Sequence, residues 1–173
     1  KFKCATIAEA ELLAMSKVKD ILLAIQPVGT NIDRFFNLIK KYPESKFSTI
    51  VDSEDIIDQI DRNASKNKVI TPLFLDINNG MNRTGVLPDD KAIDLYVKIS
   101  ESKNLIANGL HVYDGHIRES NFNLRKRECD KDFKKVEKLI KNLKSLNLDI
   151  KTVIAGGTPT FPIHSKRKNI EVS

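Results

Sequence analysis

The residues best equipped for chemistry fall in three short segments, each directly behind an apolar, β-branched run. They are Asp76-Ile77-Asn78-Asn79-Gly80-Met81-Asn82-Arg83, Tyr113-Asp114-Gly115-His116 and Ala155-Gly156-Gly157-Thr158-Pro159-Thr160. Glycines let backbone N–H groups approach an anion and threonine hydroxyls add donors, so the third segment suits a phosphate, or else is a simple turn. The Arg83 guanidinium can pair with a phenolate, carboxylate or phosphate oxygen, or close a structural ion pair with Asp76 or Asp52. Tyr113 offers a face for stacking on a flat ring, or stands at a rim with its hydroxyl in water. His116, in the loop after Gly115, is placed for proton transfer or substrate contact. His111 lies two positions before Tyr113 on the same strand face and reads as packed structure, while His164, near Lys166, Arg167 and Lys168, reads as exposed. Gln26 and Asp52 follow two earlier apolar runs and belong to the same rim. No histidines and carboxylates share a metal-binding spacing, so no metal site is expected in this chain. Cys4 and Cys129 give neither a metal spacing nor a disulfide framework.

The elements that must position these groups alternate. Strand-like runs are Phe2 to Ile7, Asp20 to Ile25, Lys46 to Val51, Val69 to Ile77, Gly109 to Tyr113, Thr152 to Ala155, and a last one beginning over Ile170 to Ser173. Helical patterns follow over Ala8 to Met15, Ile32 to Lys41 with a cap at Thr30 or Asn31, and Glu54 to about Ala64 with Ser53 as cap. Another opens at Pro88-Asp89-Asp90 and carries Ile93, Tyr96 and Val97. The longest spans Asn123 to Leu146, with Phe133, Val136, Leu139, Ile140 and Leu143 on a core stripe and lysines on a solvated face. Nearly continuous apolar strands such as Ile21-Leu22-Leu23-Ala24-Ile25 indicate a parallel sheet covered by helices. In such α/β architectures ligands bind at the carboxyl ends of the strands, where the three segments lie. A (β/α) barrel or an open doubly wound sheet would satisfy the pattern. Six β/α units fall about two short of a complete TIM-type barrel, so the chain reads as an incomplete portion of one, a fragment of a longer protein.

Composition sets the class. With 173 residues, 40% hydrophobic and 30% charged, the chain is an ordinary globular one, and a single domain over 1–173 is expected. No apolar run reaches the roughly 20 residues of a membrane helix, and the first residues lack the apolar stretch of a signal peptide, which points to the cytoplasm. The net charge of +6 is not accompanied by Trp or by basic-aromatic interleaving, so no nucleic-acid partner and no membrane partner is expected.

In their order and spacing, the three segments, with Thr84-Gly85-Val86 completing the first and Gly109 to Val112 leading into the second, resemble the alanine racemase N-terminal-domain superfamily. The chain is most similar to its D-threonine aldolase and D-serine dehydratase branch. The resemblance covers essentially the whole chain and implies a pyridoxal 5'-phosphate-binding (β/α)8 barrel, followed in such proteins by a β-domain. By resemblance, Arg83 would hold the phenolic oxygen of the cofactor, Tyr113 would stack on its ring, and Gly156, Gly157 and Thr158 would receive its phosphate. His116 would face the substrate pocket as the catalytic residue, with Gln26 and Asp52 lining it. The racemase branch more often has histidine where Tyr113 stands, which favours the lyases. The Schiff-base lysine of such families precedes the segment matching Phe2 to Ile7, and the ligands for a divalent metal lie in the C-terminal domain. This stretch alone would therefore be inactive. The expected activity of the whole protein is cleavage or dehydration of a small D-β-hydroxy amino acid. An alanine-racemase-like racemase or a non-catalytic pyridoxal-phosphate carrier is the alternative, and a homodimer is the expected assembly.

Overall fold

The computed structural model describes residues 1–168 and 170–172. Strands and helices alternate along it in the order β1 (Phe2–Cys4), α1 (Ile7–Met15), β2 (Asp20–Leu23), α2 (Thr30–Lys41), β3 (Lys46–Val51), α3 (Glu54–Asn67), β4 (Thr71–Asn78), α4 (Asp90–Glu101), β5 (Leu105–Tyr113), α5 (Phe122–Ser145), β6 (Thr152–Ala155), α6 (Phe161–His164) and β7 (Ile170–Val172). The sheet keeps chain order, β1-β2-β3-β4-β5-β6-β7, as in a (β/α) barrel and unlike a doubly wound sheet, whose strand order reverses at a switch point. The expected last strand is present over Ile170–Val172, and Ser173 lies outside the described residues.

Two compact units divide the chain. The first comprises Lys1–Phe74 and Lys98–Ala107. In it β1, β2 and β3 pair in parallel, with Phe2 opposite Ile21 and Ile21 opposite Phe47. Helix α1 starts on a reciprocal cap: Glu9 N–H donates to Thr6 Oγ1 at 3.1 Å, and Thr6 N–H donates to Glu9 Oε2 at 3.0 Å. The cap expected for α2 at Thr30 or Asn31 falls instead on Gly29, whose φ of +54° lies in the left-handed region. Helix α3 buries Ile56, Ile57, Ile60 and Ala64, the stripe that the sequence spacing implied.

The second unit comprises Leu75–Val97 and the chain from Asn108 on. Here β5, β6 and β7 pair in parallel, Gly109 opposite Thr152 and Val153 opposite Ile170. Helix α5 buries Phe133, Val136, Leu139 and Leu143 together with Cys129, and leaves most of its lysines in solvent. Tyr96 of α4 is wholly buried, its hydroxyl donating to the Asp149 carbonyl at 2.7 Å. β5 begins at Leu105, four residues before the expected start at Gly109. Among the described residues no helix is long and apolar enough to cross a membrane.

Replacing Ile60, 0% exposed on α3, with Ala removes three buried carbons and is expected to cost about 2–5 kcal/mol. Leu12→Ser, at a residue 63% exposed, is expected to stay within about 0.5 kcal/mol. Denaturant midpoints of the two variants check the assignment of the core.

Candidate functional site

The site is built from the carboxyl ends of β4, β5 and β6 in the second unit. After β4 the chain folds back on itself: Asn78 N–H donates to the Val86 carbonyl at 2.8 Å, and Val86 N–H to that of Asp76 at 3.0 Å. Inside this loop, Asn78 Oδ1 accepts from the N–H groups of Gly80 and Asn82, at 3.1 and 3.0 Å, and Asn82 takes a φ of +53°. One amide side chain thus shapes the turn that delivers Arg83. A buried pair fixes the same loop against β5. His111 Nδ1 and Asp76 Oδ1 are 2.7 Å apart, and Asp76 Oδ2 accepts from the Thr84 hydroxyl at 2.9 Å. His111 is packed as its position on the strand implied. The carboxylate considered as an ion-pair partner for Arg83 holds His111 and Thr84.

Arg83 itself is exposed, and its guanidinium carbon lies 5.0 Å from the centre of the Tyr113 ring, a cation–π distance. The half-buried Tyr113 ring lies across two glycines. A Cβ on Gly115 would collide with the phenol, and one on Gly157 would stand 3.3 Å from Tyr113 Cε2. Glycine at these positions lets the ring lie flat against the backbone.

The turn after β6 is fixed both against β5 and from within. Gly156 N–H donates to the Val112 carbonyl at 3.0 Å, and Gly157 N–H to Thr160 Oγ1 at 2.9 Å. The Thr160 hydroxyl donates to Asp114 Oδ1 at 2.6 Å. The other oxygen of that carboxylate, Asp114 Oδ2, lies 2.8 Å from His164 Nε2, and Cys129 Sγ lies 3.3 Å from the same nitrogen. Asp114, Cys129 and His164 are all fully buried. His164, expected in solvent, is therefore corrected to a core residue: helix α6 turns it inward, edge-on to Phe133 with ring centres 5.1 Å apart, while Lys166 and Lys168 stay outside. The donor atoms of Asp114, Cys129 and His164 lie within 4.8 Å of one another, a cluster of metal-ligating types that no sequence spacing announced. Its hydrogen bonds give it a structural role as it stands.

His116 is 28% exposed in its side chain, and its Nε2 faces Asp132 Oδ2 of α5 at 3.2 Å. The ring packs over Gly80, where a Cβ would come within 2.8 Å of Nε2. Asp132 was not read from the sequence as a site residue, since it is one of many charges on α5. Gln26 and Asp52 belong to the first unit, where Asp52 N–H donates to Gln26 Oε1 at 2.8 Å. There Gln26 lines a cavity of about 420 Å³ beside Thr6, Pro27 and Asn31.

The residues at the ends of β4, β5 and β6 are chemically suited to pyridoxal phosphate: a guanidinium for an anionic oxygen, a flat aromatic face, and a glycine-lined turn that a Cβ would fill. Both glycine N–H groups are already engaged, that of Gly156 with the Val112 carbonyl of β5 and that of Gly157 with Thr160 Oγ1, while the side chain of Thr158 is exposed.

An alternation of parallel strands and helices with its polar groups at the carboxyl strand ends is that of a partial (β/α) TIM-type barrel, and solved structures share it. A crystal structure of D-threonine aldolase from Filomicrobium marinum superposes with a TM-score of 0.89 at 22% identity, over 99% of this chain and 47% of that one. D-threo-3-hydroxyaspartate dehydratase from Delftia sp. HT23 gives 0.85 at 18% identity, covering 98% of this chain and 45% of that one. The sequence signature of the alanine racemase N-terminal domain matches residues 1–171, and the chain belongs to that family. The 3-hydroxy-D-aspartate aldolase of Paracoccus denitrificans (strain Pd 1222) is 26% identical over 94% of this chain and 42% of its own length. Alanine racemase 2 of Clostridium acetobutylicum is 29% identical over 51% of this chain and 21% of its own. The chain thus spans under half the length of the relatives it matches.

Two outcomes test this site. Thr160→Val removes the hydroxyl between Gly157 and Asp114, and is expected to destabilise by about 1–3 kcal/mol and to speed hydrogen exchange at the Gly157 amide. Burial pushes the thiols of Cys4 and Cys129 up to about 11, for Cys129 with the neighbouring Asp114 charge adding to it. Both thiols stay protonated until the pH nears that value, so a thiol reagent at pH 8 is expected to modify neither in the native protein and both after denaturation.

Proposed function

We propose that the protein carrying this chain is a pyridoxal-phosphate-dependent lyase acting on a small D-β-hydroxy amino acid, by aldol-type cleavage or by dehydration. The observation that carries the reading is the Tyr113 ring, laid over Gly115 and Gly157 with the Arg83 guanidinium on its face. The names of the aldolase and dehydratase relatives support this substrate class, since both act on a D-amino acid with a hydroxyl on its β-carbon.

When bound, the cofactor supplies an electron sink for the bond broken at the substrate α-carbon. Arg83 would hold an anionic oxygen of it, Tyr113 would flank its ring, and the Gly156-Gly157-Thr158 turn would receive its phosphate chiefly through the exposed Thr158. Its attachment lysine and any metal would come from the remainder of the protein. His116 is the proton carrier. Asp132 holds the ring at Nε2, leaving Nδ1 to take the proton of the β-hydroxyl, or to return one to it as water departs. Alanine racemase 2 is a relative over half the chain, which makes a racemase the second reading.

The test uses the full-length protein. Borohydride reduction is expected to leave a pyridoxyl group on a lysine preceding Lys1, found by peptide mass. D-Threonine is then expected to yield glycine and acetaldehyde, or D-serine pyruvate and ammonia; α-proton exchange without either product indicates a racemase. Absence of any pyridoxyl group overturns the cofactor roles of Arg83 and Tyr113. His116→Gln is expected to lower kcat by roughly 10²-fold with the cofactor still bound.

A further inference from the structure

Asp114, Cys129 and His164 come from the loop after β5, from α5 and from α6, and all three are fully buried in the second unit. Three of their atoms form a small triangle. Asp114 Oδ2 and His164 Nε2 are 2.8 Å apart, His164 Nε2 and Cys129 Sγ 3.3 Å, and Cys129 Sγ and Asp114 Oδ2 3.8 Å. One point in the plane of that triangle lies about 2 Å from each of the three atoms. Zinc binds histidine nitrogen and carboxylate oxygen at about 2.0–2.2 Å and thiolate sulfur at about 2.3 Å. An ion standing slightly out of the plane therefore reaches all three with little movement of the side chains.

Hydrogen bonds alone satisfy this cluster imperfectly. His164 donates its Nε2 proton to Asp114 Oδ2, and the Cys129 thiol must turn to the same oxygen across 3.8 Å, a long contact even for sulfur. Two donors thus crowd one acceptor. His164 Nδ1 is buried with no partner among the described residues whichever ring nitrogen bears the proton, so a change of tautomer exchanges one unanswered atom for another.

Charge and ligand type define the ion. A thiolate, a carboxylate and a neutral imidazole carry two negative charges, which a divalent cation cancels, whereas a monovalent one would leave a net charge buried. Sulfur and imidazole nitrogen select zinc over magnesium or calcium, which take oxygen ligands. Arg167, beside the thiol, favours its ionised form, and Asp130 and Glu137 hold that guanidinium at 2.5 and 3.5 Å. We propose that Asp114, Cys129 and His164 bind one zinc ion, with a water as its fourth ligand. Uptake releases the thiol proton to solvent and moves the imidazole proton from Nε2 to Nδ1. The ion joins α5 and α6 to the end of β5, next in the chain to Tyr113. The site does not rest on the cofactor reading, and its residues are other than those of any metal held by the remainder of the protein.

The test uses full-length protein expressed in zinc-supplemented medium and dialysed, with metal content measured by mass spectrometry. Cys129→Ser and His164→Gln are each expected to lower the zinc content by about one equivalent per chain relative to the wild type. In crystals of the wild-type protein, anomalous scattering at the zinc edge is expected to peak between the three side chains, and this decides the matter if neither variant folds. The proposal is overturned by a zinc content that both folded variants retain, or by crystals of the zinc-grown protein with no anomalous peak at that point. Neither readout requires the cofactor or any activity.

Discussion

A carboxylate sealed from water must be answered by donors on each of its oxygens, and Asp114 is answered by groups from three elements. Thr160 reaches it from the turn after β6, His164 from α6 and Cys129 from α5. Its chain neighbours are Tyr113 and Gly115, so whatever fixes Asp114 fixes the aromatic and the glycine on which it lies. The same Thr160 hydroxyl accepts from Gly157 N–H, so one carboxylate sets both the ring and the turn opposite it. Removing a partner from such a network leaves a buried charge unanswered, which is costlier than the loss of the bond itself.

Asp76 repeats this logic at the end of the neighbouring strand. It joins His111 of β5 to Thr84 of the returning loop, and Asn78 closes the turn between them. Arg83, the residue this loop delivers, is exposed directly after the hydrogen-bonded turn. The two knots share a design: polar groups that cannot reach water are tied to each other, and the groups left for a ligand, Arg83 and the Tyr113 face, adjoin the residues so tied.

The strand ends were legible because parallel strands between helices read as unbroken apolar runs, and the polar residue closing each run marks its carboxyl end. Asp20–Leu23, Lys46–Val51 and Thr152–Ala155 lie at or near their expected bounds for that reason. The burial of His164 was not legible. A histidine close to three basic residues looks solvated, and only helix α6, four residues long behind a Gly-Gly-Thr-Pro turn, turns it inward. Asp132 was hidden in a different way: on a helix this rich in charge, period marks the core stripe, which Cys129 extends one turn before Phe133, but says nothing of which loop crosses another face. The early start of β5 escaped because Asn108-Gly109 carries the composition of a turn, yet pairing with Thr152 holds that dipeptide in a strand.

The identity of residue 113 is linked to Arg83 by electrostatics. A phenol ring offers a negative face without a formal charge, and a guanidinium 5.0 Å from its centre is attracted to it. An imidazole in the same place could fill the same space, but on protonation it would repel the guanidinium and release it from the ring. With tyrosine the exposed arginine has a resting place against the ring. Pre-positioning of this kind lowers the conformational cost of meeting an anionic oxygen. The two residues therefore act as one unit, and a change at either is a change in where the cation waits.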